Sequence, residues 1–405
     1  MDVESQMKRW QGRTSGSVLA GVLVVIGLLL IIGGSMLVLG WQSRMAALRA
    51  TAEIRARAAA DSGLEKAVYD VNARVQNGLW DDTNLPAESA SLPGTEDQYD
   101  YTLVGDAAGG LVISANGRYR QTQRTVSAAV ELAGIYEYAI YGIDSIELKN
   151  GTMVDGFNYD TDEPLLQIAT SSTASGHIDM KNGVTIVGDV LVGVGGDPDV
   201  VIGEGPGVTI VGNTYSMPVA WNPPIITVPV YLSTSASLGE ITNSGTISSS
   251  GKYSSIALGA GKVLTIDGEV ELYITGNVDL GNDAEIRVVD AAANPNASLT
   301  IYLEGNFIGK NGSGFNNLTQ DTQKLTLYGL ANCTSIGLFA KGAFYGTVYA
   351  PCADIELKNA VEVFGAMVGN SFIQKESAGF HFDAKLRKVS VQDFGVRFVV
   401  RRWQE

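Results

Sequence analysis

The chain has 405 residues, 43 acidic and 28 basic, for a formal net charge of -15. Apolar residues make up 45%, which excludes general disorder, and the acidic balance argues against nucleic acid, whose phosphates need clustered Lys and Arg. The 48 glycines follow no three-residue period, so a collagen-like chain is excluded.

The charge is unevenly placed. Residues 1–60 hold seven basic and three acidic residues, a balance of +4; the rest holds 21 basic and 40 acidic, a balance of -19. A basic leader (1–16) precedes Val18–Trp41, 24 residues without an ionisable side chain. About 20 such residues cross a hydrocarbon core as a helix, whereas the apolar part of a signal peptide is only about 7–15 long. A retained single-span helix is therefore expected over 17–41, with Trp41 at the interface. Gly21, Gly27, Gly33 and Gly34 offer small faces for close helix packing.

Residues 42–78 continue the helix without proline. Ala52, Ala56, Ala59, Gly63, Ala67, Val71 and Val75 recur at helical spacing and make one apolar stripe. Asn77-Gly78 reads as the stop. Span and continuation predict a rod of about 60 residues, about 90 Å long.

These residues carry a family resemblance. The basic leader, Gly16-Ser17-Val18-Leu19, the apolar helix and Ala58-Ala59-Ala60-Asp61-Ser62-Gly63-Leu64-Glu65-Lys66-Ala67 resemble PilX-type type IV pilus assembly proteins. The resemblance implies leader cleavage between Gly16 and Ser17. It also implies a helix that embeds a minor, pilin-like subunit first in the inner membrane and then in a filament. Its assembly residues would include Ala59, Gly63, Leu64 and Ala67. Ser17 and Gly21 stand where major pilins carry Phe and Glu.

Residues 79–96 read as a loop. Tyr99–Val104, Gly110–Ala115 and Tyr119–Leu132 read as strands of a small antiparallel sheet over 79–134, packed on the helix, with Asn116-Gly117 as a tight turn. From 135 to 390 short apolar runs alternate with Gly and Asn turns. Ile146-Glu147-Leu148-Lys149-Asn150 recurs at Ile355–Asn359 and loosely at Ile178–Asn182; Val184–Gly188 recurs at Val208–Gly212. Such repeats favour a parallel β-helix, a solenoid of about ten coils, over a β-sandwich. The fold class expected is mainly β: a long N-terminal helix, a small antiparallel sheet, then the solenoid, with a C-terminal strand or tail over 391–405.

The far region carries a second resemblance. Gly346-Thr347-Val348-Tyr349-Ala350-Pro351, Gly365–Gly369, His381-Phe382-Asp383 and the terminal Trp403-Gln404-Glu405 are similar to the solenoid domain found behind PilX-like anchors. No enzymatic role comes with that pattern.

Cys333 and Cys352 lie 19 apart, about one coil, and in an oxidising compartment a disulfide between them is expected. A loop of that size would add about 3 kcal/mol. His381 and Asp383 share a strand face and suit a hydrogen-bonded pair. Asp160, Asp162, Glu163, Asp197 and Asp199 are the carboxylates a glycan-cleaving solenoid would draw on, and Gly195-Gly196-Asp197-Pro198-Asp199 has a partial likeness to a calcium loop. The default for all of them is surface turns, with no catalytic residue, metal or other cofactor assigned. The expected function is a structural minor pilin-like component of a type IV pilus or related filament. The anchor would lie in a bacterial-type inner membrane, with the solenoid in the periplasm or outside. Expected partners are the membrane, other pilin-like subunits and the assembly machinery, with a surface glycan or a host or abiotic surface as a further ligand. The alternatives are a membrane-anchored polysaccharide-binding or polysaccharide-cleaving protein, and an adhesin unrelated to pili.

Overall fold

A computed structural model describes residues 15–158, 166–339, 342–375 and 378–404. The chain forms two compact units, one of residues 1–131 with 398–405, the other of residues 132–397.

The first unit is built on one helix, α1 (Ser15–Gln76). At 1.5 Å per residue it is about 90 Å long. Its end is a glycine cap: Gly78 has φ +65° and the Leu79 N–H donates to the Arg74 carbonyl at 2.8 Å. The stripe read from the sequence is the buried one. Ala56, Ala59, Ala67 and Val71 have no exposure, and Ala60 and Leu64 join them. They face a five-stranded antiparallel sheet formed by β1 (Glu88–Ser91), β2 (Gln98–Asp106), β3 (Gly110–Tyr119), β4 (Thr122–Ala133) and the terminal strand Arg397–Gln404. Two sequence expectations change here. The stretch 79–96 contains a strand, β1, and Asn116-Gly117 is not a turn. Both residues lie within β3, and the hairpin turns at Arg120-Gln121, where Arg120 has φ +55°. Gly117 serves packing instead: a Cβ there would overlap the Ala56 carbonyl and the Ala60 amide. Helix backbone rests directly on strand backbone at this point.

The terminal strand edges this sheet beside β4. Asn72 on α1 brackets Phe398, donating from Nδ2 to its carbonyl at 3.1 Å and accepting its N–H at 2.7 Å. Phe398 is buried and packs on Trp80 at 4.8 Å.

The second unit is a parallel β-solenoid. One inward column follows the strand register through Ile241, Ile256, Val278, Phe307, Ile336, Ile355, Phe372, Ile146, Ile178 and Ile202. That is one residue per coil, ten coils among the described residues. The column explains the repeated pentapeptide. In Ile146–Asn150 the Ile and Leu point inward, and Glu147 and Lys149 pair outside. Asn150 then accepts the N–H of Asn182 one coil on.

The stacking order is not the chain order. Coils from 140 to 210 wind to one end. Residues 217–239 then cross to the other end, and the coils from 240 to 383 wind back until Phe372 lies on Ile146 and Phe380 on Val154. The crossing segment holds Pro218, Pro223, Pro224 and Pro229, which cannot donate to a ladder. It lies along a column of tyrosines on the outer face. Tyr141 donates to the Trp221 carbonyl at 3.2 Å, Tyr349 to that of Pro224 at 2.8 Å, and Tyr231 to Glu271 at 2.6 Å.

Candidate functional site

The first candidate is α1 itself. Its half up to Trp41 is apolar and exposed: Leu23 is 62%, Leu30 71% and Leu37 77% exposed. The helix is long and apolar enough to cross a membrane, with mean hydropathy 2.9 in its most apolar window. Around Gly21, Gly27, Gly33 and Gly34 an added Cβ would meet nothing within 4 Å, and Trp41 is exposed. Gly16 and Ser17 lie in the helical backbone; the Ser17 side chain is outside the described residues. Exposure continues past Trp41 to Ile54, and from Ala56 on the environment reverses. Ala59, Leu64 and Ala67 are fully buried, and Gly63 sits where a Cβ would approach Tyr99 to 3.1 Å. The family-like stretch is thus the part of α1 that holds the sheet.

Beside it, α1 and the sheet share a polar cleft of about 360 Å³ lined by Lys66, Asp70, Glu88 and Tyr101 among others. Lys66 pairs with Asp70 at 2.5 Å and with Glu88 at 3.3 Å. The hydrogen bond to Asp70 is the main reason the ammonium is held above its ordinary range. Tyr101 also donates to Asp70, and burial first, then that bond, raises its phenol. Every group in the cleft has a partner, so it serves as a polar clamp.

On the solenoid, His381 does not pair with Asp383. The strand alternates, so His381 faces out and Phe382 in. Asp383, at the strand end, is buried; it caps the turn at Lys385 and accepts from Thr322 at 2.6 Å. His381 instead meets Asp155 at 2.5 Å through Nδ1 and Glu362 at 3.0 Å through Nε2. Its ring stacks on Phe364 at 4.5 Å, and Phe364 stacks on Tyr345 at 4.5 Å. These partners sit on consecutive coils, and Asp155 is 226 residues away in sequence. No local spacing signals that.

Cys333 and Cys352 fall on adjacent coils, each two residues before the register pair Ser335 and Asp354. The expected disulfide is absent. Both thiols are free, Cys333 buried and Cys352 exposed, because the strand turns the second side chain outward. Burial lifts the Cys333 thiol to about 12. Asp160, Asp162 and Glu163 lie outside the described residues. Asp197 Oδ1 accepts the Asp199 N–H at 3.1 Å and so caps a four-residue helix, Pro198–Val201. Among the described residues no group of three His, Cys, Asp or Glu is placed to hold a metal ion.

Residues 227–389 match a family described as a domain of unknown function, DUF7305. The match spans the seven coils that follow the crossing segment. No curated protein matches the chain. Among solved structures, the chain is similar to the competence-associated pilin ComZ from Thermus thermophilus. Identity is 11% over 87% of this chain and 97% of that one, with a TM-score of 0.23. It is also similar to an ice-binding protein from an Antarctic bacterium, Flavobacteriaceae. There identity is 11% over 61% of this chain and 79% of that one, with a TM-score of 0.22.

Proposed function

We propose that this protein is a single-pass envelope protein of pilin-like build, a minor component of a type IV pilus or related filament that displays a β-solenoid. The observation that carries the reading is the division of α1. One unbroken helix is apolar and unpartnered over its first half and clamped to an antiparallel sheet over its second. Exposed surface of that kind belongs in lipid or against other helices. A subunit that moves from membrane to filament needs both surroundings for the same stretch.

The bulk of a ten-coil solenoid is hard to repeat in a tightly packed shaft, so a tip or low-copy position follows. The test is fractionation of sheared filaments from the producing cell, with immunogold labelling. The chain is expected in the filament fraction, with gold at filament ends. Gold along the whole length overturns the tip position. Absence from the fraction, with normal filaments after clean deletion, overturns the filament role.

A further inference from the structure

The solenoid finishes at each end in an open coil. Along the inward column Ile241 pairs only with Ile256, and Ile202 only with Ile178, among the described residues. The coils at 240–250 and 202–216 therefore have a neighbour on one side alone. The second sheet stops in the same way. Thr209 and Val211 donate to the Val184 and Ile186 carbonyls of the neighbouring coil at 2.9 Å each. Successive strand residues turn their N–H and C=O to opposite sides, so those of Ile210 are directed out of the end. At the other end the Ile247 carbonyl accepts the Asp267 N–H at 3.0 Å, which directs the N–H and C=O of Thr246 outward. Ile210, Ile241 and Ile247 keep part of their surface open, and Leu238 is exposed. Sheet edges of this kind are usually blunted by charged side chains. Here the only charged residue between Glu204 and Lys252 is Glu240, and it accepts from Ser255 Oγ at 2.7 Å.

We propose that the two ends are halves of one interface whose occupant is a second copy of this chain, stacked head to tail. The coil at 202–216 of one copy would lie on the coil at 240–250 of the next. Both coils belong to one column of parallel strands, so Ile202 of one copy on Ile241 of the next continues that column. Charge favours this pairing over either end meeting its like. Glu204, two residues past Ile202, is exposed. Asn243, two residues past Ile241, holds the same column position at the other end, where Lys262 donates to its Oδ1 at 2.7 Å. Stacking brings the Glu204 carboxylate to the Lys262 ammonium, whereas like ends would set acid on acid or base on base. The fold already contains a contact of this type: Phe372 lies on Ile146, between coils that are not consecutive in the chain. The contact is heterologous and so repeats from copy to copy. The inference does not depend on the filament role.

The test is sedimentation of the full chain in detergent over a range of concentrations, under reducing conditions because Cys352 is exposed. Dimers, then larger species, are expected to grow with concentration. Glu204→Lys should weaken association tenfold or more, and adding Lys262→Glu to the same chain should restore it. Thr246→Pro removes an N–H directed out of the end, so it should weaken association as strongly with Tm unchanged. That variant carries the test if Lys262→Glu fails to fold. Four results overturn the proposal. One is a single species at every concentration. Another is association that neither Glu204→Lys nor Thr246→Pro weakens, which would place it on α1. The third is growth that stops at the dimer, the mark of a closed contact. The last is a folded double variant in which association is not restored.

Discussion

The helix–sheet unit and the solenoid bury apolar surface by opposite means. In the first, the contact is made of small residues. Ala56, Ala59, Ala60 and Gly117 let helix backbone approach strand backbone, and larger side chains such as Leu64 and Tyr101 fill the margins. In the second, large residues are stacked in register. Phe307, Ile336, Ile355, Phe372 and Ile146 repeat one position on successive coils. The helix unit is therefore vulnerable to added volume, and the solenoid to removed volume.

The largest effect is expected from Phe372→Ala. The side chain is 1% exposed and lies where the coil at 363–374 meets the first coil, a contact that chain connectivity does not enforce. A Phe→Ala change in a core costs about 3–5 kcal/mol. Chemical denaturation of the full chain in detergent measures it. A loss under about 1 kcal/mol would show that this junction is not closed by side-chain packing.

Gly117→Val tests the other side of the contrast. The added atoms meet backbone rather than a side chain that can rotate away. Overpacking costs about 1–3 kcal/mol, occasionally more, and the upper end is expected here. Gly117→Ala should already be costly. If Gly117→Val is tolerated with Tm unchanged, the helix does not rest on β3 as described.

Asn72→Ala should cost less, about 1–2 kcal/mol, since net hydrogen bonds contribute about 0.5–1.5 kcal/mol each and Asn72 makes two with the Phe398 backbone. The terminal strand is the part that should loosen. Faster amide exchange of Phe398 in the variant, with the β2–β3 amides unchanged, is the expected signature.

What the sequence made legible follows this same contrast. Periodic features were readable: the uncharged run at Val18–Trp41, the alanine stripe, and inward Ile and Leu of the recurring pentapeptide, because each is a local pattern fixed by helix or strand geometry. Contacts closed by topology were not. Asn116-Gly117 has the composition of a turn, and only the approach of α1 shows why glycine stands in mid-strand. The repeats revealed coils but carried no sign that coils about 226 residues apart are neighbours, since every coil presents the same inward chemistry. His381 lay in a motif that suggested Asp383, since alternation puts both on one strand face, but the strand ends at Asp383, whose carboxylate turns inward to Thr322 while His381 stays outside with Asp155 and Glu362.

The smallest effect on stability is expected at Gly33 and Gly34, and that makes them informative. An added side chain there meets nothing within the protein, and leucine is a better helix former than glycine by several tenths of a kcal/mol per position. Gly33→Leu with Gly34→Leu should therefore leave the folded units unchanged or slightly steadier, and insertion into the membrane intact. If small faces on this half are there for neighbouring helices, the same double substitution should remove the chain from sheared filaments while its membrane level holds. Matching changes in both fractions would instead point to a defect in insertion or turnover. An unchanged filament fraction would show that the glycines serve no neighbour, leaving the exposed half of α1 as a membrane anchor alone.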